Sequence, residues 1–269
     1  MFKYLTILFF AFPAFCMPLH AQEQTYSHDD TLQAIQYMES YVQEHPNDRF
    51  AFLSVLALSD LEMSAGQYEP ARVRLAAALD TEISPGFGGD NYDSRYMFMI
   101  DILQYNAVKF QICMRMGDIY LKRKDAGKAM EYAQMADSTH FGRYSCGNEA
   151  DGARMQAYML KNECNLLAGD TTKVINNLLD CLNYWGVGIL PAKRLRLLLL
   201  ERYSPGDINK EIDRAINNIQ ITMQSRDGKT AKQASITLFG HPVNISYSTD
   251  KKIIKKYLEK NWFLNTLRT

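Results

Sequence analysis

Met116-Gly117-Asp118-Ile119-Tyr120, followed by Ala129, Ala133 and Ala136, is the stretch that decides the fold. Ala129 stands twelve residues after Gly117, and the alanines then recur at steps of four and three, the spacing of one helix face. Small residues so placed let two helices approach where they cross. The interval recurs upstream, where Ser59 stands twelve residues before Ala71, with Gly66-Gln67-Tyr68-Glu69-Pro70 between them and Leu75 and Ala78 beyond. A looser third copy runs through Asn162, Gly169, Val174, Leu178 and Cys181. Neither helix of such a pair can bury its apolar stripe without the other.

These residues resemble the tetratricopeptide repeat (TPR), a helix–turn–helix of about 34 residues. Ser59/Ala71/Ala78 and Gly117/Ala129/Ala136 match that family's small positions, and Tyr120 matches an aromatic one. Ala34 and Pro46 have its spacing between the second-helix alanine and the closing proline, so Thr31–Gln43 reads as half a repeat, with His45-Pro46-Asn47-Asp48 as its turn. Ala71 to Ala129 is 58 residues and Ala129 to Val174 is 45, so insertions are expected. One contains the turn-rich Ser84-Pro85-Gly86-Phe87-Gly88-Gly89-Asp90, the other Phe141-Gly142-Arg143-Tyr144. The resemblance covers about half of the chain that remains once residues 1–21, read below as a leader, are set aside, and implies an all-α fold, an α-solenoid of degenerate TPR-like hairpins.

The start of the chain reads differently. Met1-Phe2-Lys3-Tyr4 is basic, Leu5–Phe15 is apolar, and Cys16–Ala21 ends in a small residue. That order is a secretory signal peptide. The apolar run is too short to span a bilayer, which takes about 20 helical residues. Phe15 stands where a lipoprotein cysteine would need a small neighbour, so Cys16 is assigned to the removed segment and lipid anchoring is not expected. The expected organisation is 1–21 leader, 22–186 helical repeats and 187–269 carboxy-terminal helices with a hairpin, in a periplasmic or secreted protein. No integral membrane segment is expected after cleavage. Cys113, Cys146, Cys164 and Cys181 remain, with three possible pairings. Cys164–Cys181 is the pair to test first, buried thiols being the alternative.

Past Gly186 the pattern changes. Leu190–Arg202 and Asn209–Gln224 read as helices, the second opened by Ser204-Pro205-Gly206-Asp207. Ser235–Phe239 and Val243–Tyr247 alternate about Gly240-His241-Pro242, a β-hairpin. A closing helix is expected from Asp250 to Leu264, with Ile253, Ile254, Tyr257, Leu258 and Trp262 on one face and Lys251, Lys252, Lys255, Lys256 and Lys260 on the other. That basic side reads as a solvated face, with an anionic lipid surface as the alternative. The hairpin reads as a cap on the apolar end of the repeats.

Overall charge excludes little. Lys+Arg and Asp+Glu both number 30, which argues against a general nucleic-acid binder, and 47% apolar residues exclude bulk disorder. No Gly-Xaa-Ser-Xaa-Gly elbow, His-Glu-Xaa-Xaa-His, phosphate loop or Cys-Xaa-Xaa-Cys occurs. His28, His45, His140 and His241 fall in expected loops. Gly86–Gly89 has no strand leading into it, and Asp90, Tyr92 and Asp93 lack the spacing of a calcium loop. No catalytic residue, metal or cofactor is expected.

In the family it resembles, the first helix of each repeat lines a concave groove through positions stepping by three and four. Carried onto this sequence, these are Leu53, Leu56, Asp60 and Met63; then Gln111, Met114, Asp118 and Leu121; then Gln156, Met159, Glu163 and Leu166. Read across, Leu56/Met114/Met159 are apolar, Asp60/Asp118/Glu163 acidic and Met63/Leu121/Leu166 apolar. An acidic rung between apolar ones suits a peptide with apolar anchors and a Lys or Arg. The functional expectation is therefore an exported interaction module or scaffold for a protein or peptide, without nucleic acid. The alternatives are an immunity or inhibitor protein that neutralises a toxic enzyme, with the hairpin or Phe141–Gly147 as its plug, and an enzyme in which Glu163, Asp118 and a histidine converge.

Overall fold

The computed structural model describes residues 28–44, 49–80, 94–138, 147–183, 189–226, 229–245 and 248–268. The expected leader, Cys146 and both turn-rich insertion loops lie outside them. The protein is mostly helical, with a small three-stranded antiparallel sheet. It divides into two compact units, one ending at Cys164 and one beginning at Asn165.

The first unit holds α1 (His28–Glu44), α2 (Arg49–Ser64), α3 (Tyr68–Leu79), α4 (Ser94–Lys122), α5 (Ala126–Ser138) and most of α6 (Gly147–Leu167). The helices pair in sequence, α2 with α3 and α4 with α5, and α1 lies against α2. Ser59, Ala71, Ala129, Ala133 and Ala136 have no exposed surface, and Ala78 has 6%. One core gathers Leu56, Leu75, Val108, Ile112, Met116 and Ile119 with Ala71 and Ala78, and a second joins Phe110, Cys113, Ala136 and Ala157. Tyr120 stacks on Tyr132 with centroids 5.6 Å apart. Gly117 meets another neighbour: a Cβ there would lie 2.5 Å from Cδ2 of Leu160 on α6. The missing side chain thus sets how closely α4 approaches α6. Part of the extra length between the first two hairpins goes into α4, which runs 29 residues against 16 for α2.

Three turns repeat one geometry. Gly66, Lys124 and Gly169 have φ of +76°, +60° and +85°. The next residue's amide reaches back five residues in each: Gln67 to the Glu62 carbonyl, Asp125 to Tyr120, Asp170 to Asn165. This is the helix ending that a left-handed residue permits. Asp125 and Asp170 then cap the following helix, their carboxylates accepting from the Lys128 and Lys173 amides at 2.9 and 3.1 Å. Gln67 provides no such cap. The turns are spaced as the small residues are, by 58 and 45 positions. The third turn belongs to the second unit, whose boundary falls inside α6.

The second unit continues with α7 (Thr171–Asp180), a 3-10 turn (Cys181–Asn183), α8 (Ile189–Leu200), α9 (Pro205–Asn217), β1 (Gln220–Arg226), β2 (Lys229–Leu238), β3 (His241–Ile245), α10 (Lys251–Glu259) and α11 (Trp262–Leu267). The strands pair in order, with Ile236 opposite Val243 and Ala234 opposite Ile245 on the buried face. β2 packs on α9 and β3 on α7. His241 Nε2 lies 2.9 Å from the Asp180 carboxylate, and the Phe239 amide donates to Glu211 at 2.8 Å.

Two expectations are corrected here. The helix expected over Asn209–Gln224 stops at Asn217, and residues 220–226 form a strand. Ile221 and Thr222 are β-branched, and the segment gains a full ladder of partners on β2. The single closing helix is two, because the buried Asn261 side chain accepts from the Phe263 and Leu264 amides and starts a new helix. Ile254 and Leu258 are buried as expected, but Ile253 is exposed.

Candidate functional site

Asp60 on α2 and Asp118 on α4 occupy equivalent places, one residue after the small residues at 59 and 117, and both are exposed. Between them stands Arg115, one helical turn before Asp118. Its guanidinium makes a bidentate pair with Asp60, Nε and Nη2 each donating at 2.7 Å. Its Nη1 donates to the Gln111 side chain at 2.8 Å and to the Gln111 carbonyl at 3.2 Å. Asp60 is therefore neutralised by the next hairpin, and Gln111 orients the cation that does it. A fork-to-fork pair of this kind also fixes α2 against α4.

Asp118 differs. No described residue donates a hydrogen bond to its carboxylate. Its tip reaches water while the surrounding protein removes bulk solvent, and this desolvation pushes its pKa up to about 6. Arg115 and Lys122 oppose the shift, and the charges of Asp60 and Glu163 add to it. The charges of the two other acids of the expected column thus reach Asp118. The helices α2, α4 and α6 each supply one of the three.

The flanking apolar positions divide. Leu56 is 8% exposed and belongs to the core, so its surface is taken up inside the protein. Met63 and Met114 are half-buried against that core and its neighbour, with part of each side chain left accessible. Leu121, Met159 and Glu163 are also half-buried, and Gln156 is exposed. Leu166 is half-buried in the second unit. Leu53 lies on α2, its side chain outside the described residues. Arg115 was not among the expected site residues. Its signal was present, since it follows Gln111 by four positions and precedes Asp118 by three, but its partner Asp60 lies 55 residues away.

Other chemistry is sparse. Cys113 and Cys164 are buried free thiols whose pKa burial pushes up to about 11, leaving them protonated and unreactive at neutral pH. Cys164 being free, the Cys164–Cys181 disulfide is not formed; the Cys181 thiol lies 3.7 Å from the Asn177 carbonyl. Among the described residues no group of three or more His, Cys, Asp or Glu is placed to hold a metal, and no helix is long and apolar enough to cross a membrane. The acidic row can accept a cation and hydrogen-bond donors from a partner. Against family models, curated proteins and solved structures, the chain finds no match.

Proposed function

We propose that this is an exported interaction module that captures a peptide or protein partner through the acidic row on α2, α4 and α6. Asp118 carries the reading. It is an exposed residue whose carboxylate has no donor among the described residues and feels the charges of Asp60 and Glu163. Half-buried Met63, Met114, Leu121 and Met159 stand three or four positions from an acid along the same helices. A Lys or Arg of the partner would compensate the desolvation of the Asp118 carboxylate, and adaptable methionines would receive apolar side chains beside it. The three like turns and the shared 58 and 45 spacing support a degenerate TPR-like series of hairpins. The leader-like residues 1–21 support export to the periplasm or the exterior.

The test pairs two measurements. Amino-terminal sequencing of the protein recovered from its native envelope is expected to begin at Gln22. Peptides carrying apolar residues about one Lys or Arg are then titrated against the protein by fluorescence polarisation. Asp118→Lys is expected to weaken binding at least tenfold without loss of helix content, whereas unchanged affinity would refute the acidic row as the binding surface. Asp118 is the discriminating position, because reversing Asp60 would also break its pair with Arg115.

A further inference from the structure

The zero net charge of the chain conceals a split. Residues 1–164 carry 14 Lys and Arg against 21 Asp and Glu, and residues 165–269 carry 16 against nine. The second unit is strongly basic. Its α8, Ile-Leu-Pro-Ala-Lys-Arg-Leu-Arg-Leu-Leu-Leu-Leu, has three cations and no acid.

That helix is apolar on two sides. Pro191, Ala192, Leu195, Leu198 and Leu199 are buried, and the helix packs against α7 and α11. Yet Ile189, Leu190 and Leu197 are 56%, 51% and 56% exposed. Leu190, Lys193, Leu197 and Leu200 follow one another at steps of three and four and so form one outward stripe. A helix needs one apolar face to join a core, and a second calls for an apolar environment outside the molecule. On the same unit α10 displays Lys251, Lys252, Lys255 and Lys256, with Ile253 50% exposed.

We infer that the outer face of α8 docks on the surface of an anionic phospholipid bilayer. The helix would lie in the interfacial plane, with Leu190 and Leu197 entering the acyl boundary and Lys193 meeting lipid phosphates. Exposed aliphatic side chains with a lysine among them, on a unit with a basic excess, fit that surface. A groove for single-stranded nucleic acid would instead present cations with aromatic stacking platforms, and a duplex site would present cations without exposed leucines. The inference concerns the second unit and is independent of the acidic row in the first.

Vesicle co-sedimentation tests it, with the full chain and the chain beginning at Gln22 run in parallel so that residues 1–21 are controlled. Binding is expected to vesicles containing phosphatidylglycerol and not to pure phosphatidylcholine, and it should collapse in about 0.5 M salt. Leu190→Ser with Leu197→Ser should cut partitioning at least tenfold, and Lys193→Gln about fivefold. Both leucines are exposed, so circular dichroism should be unchanged. No binding to the anionic vesicles overturns the inference. So does binding untouched by the leucine substitutions, or retention on duplex DNA or RNA that exceeds retention on vesicles.

Discussion

Gly117→Ala puts a methyl group 2.5 Å from Cδ2 of Leu160 and 3.3 Å from its Cδ1 and Cγ. Carbon atoms rest at about 3.5–4.0 Å, so Leu160 must withdraw by about 1 Å. It is 4% exposed and its surroundings are packed. Overpacking of that kind costs about 1–3 kcal/mol. Alanine regains about 1 kcal/mol of helix propensity over glycine, so the net loss is about 0–2 kcal/mol. Leu160→Ala alone opens a cavity and costs about 2–5 kcal/mol. With Leu160 already shortened, the clash is gone and the propensity gain stands alone, so Gly117→Ala should then stabilise by about 1 kcal/mol. The four proteins form a double-mutant cycle with a coupling of about 1–3 kcal/mol. Urea unfolding followed by far-UV circular dichroism is the assay, because both tryptophans, Trp185 and Trp262, lie beyond the first unit. If Gly117→Ala has the same effect in both backgrounds, the close approach of α4 and α6 is wrong.

The pKa of Asp118 is raised in the folded protein from about 3.8 to about 6, so its ionised form costs stability fully above pH 6 and not at all below about 3.8. Asp118→Asn should therefore stabilise the protein at pH 8 and lose that gain as pH falls through 6 to 4. Contact of the carboxylate with water screens the gain to about 1 kcal/mol, and a gain equal at pH 4 and pH 8 refutes the assignment. Gln67→Asp should add the cap that Asp125 and Asp170 already supply, and Lys124→Gly should relieve the left-handed φ; each should raise stability by about 0.5–1 kcal/mol in thermal unfolding. Arg74 on α3 donates to the buried Glu62 on α2 and to Glu39 on α1, each at 2.8 Å. Arg74→Leu strands the Glu62 carboxylate and should cost about 3–5 kcal/mol in urea unfolding, while a loss under 1 kcal/mol would show that the pair contributes little.

The sequence by itself determined the helices of the first unit and the small residues buried in them. Ala129, Ala133 and Ala136 follow a 3.6-residue period, Gly117 stands twelve residues ahead of the first of them across one turn, and the turns at Gly66 and Gly169 depend on residues within five positions, so these signals are local. The hairpin around Gly240 was legible for the same reason. Only the tertiary structure decided the rest. Arg115 reaches Asp60 across 55 residues, which turns one member of an acidic column into an ion pair and leaves Asp118 as the open one. Leu56 and Leu197 are both leucines on helices, yet one is core and the other is 56% exposed. Residues 220–226 had a continuing helix available and became a strand because β2 was there to pair. Period and cap are written within one or two turns of chain; which side of an element is covered depends on segments brought together from far along it.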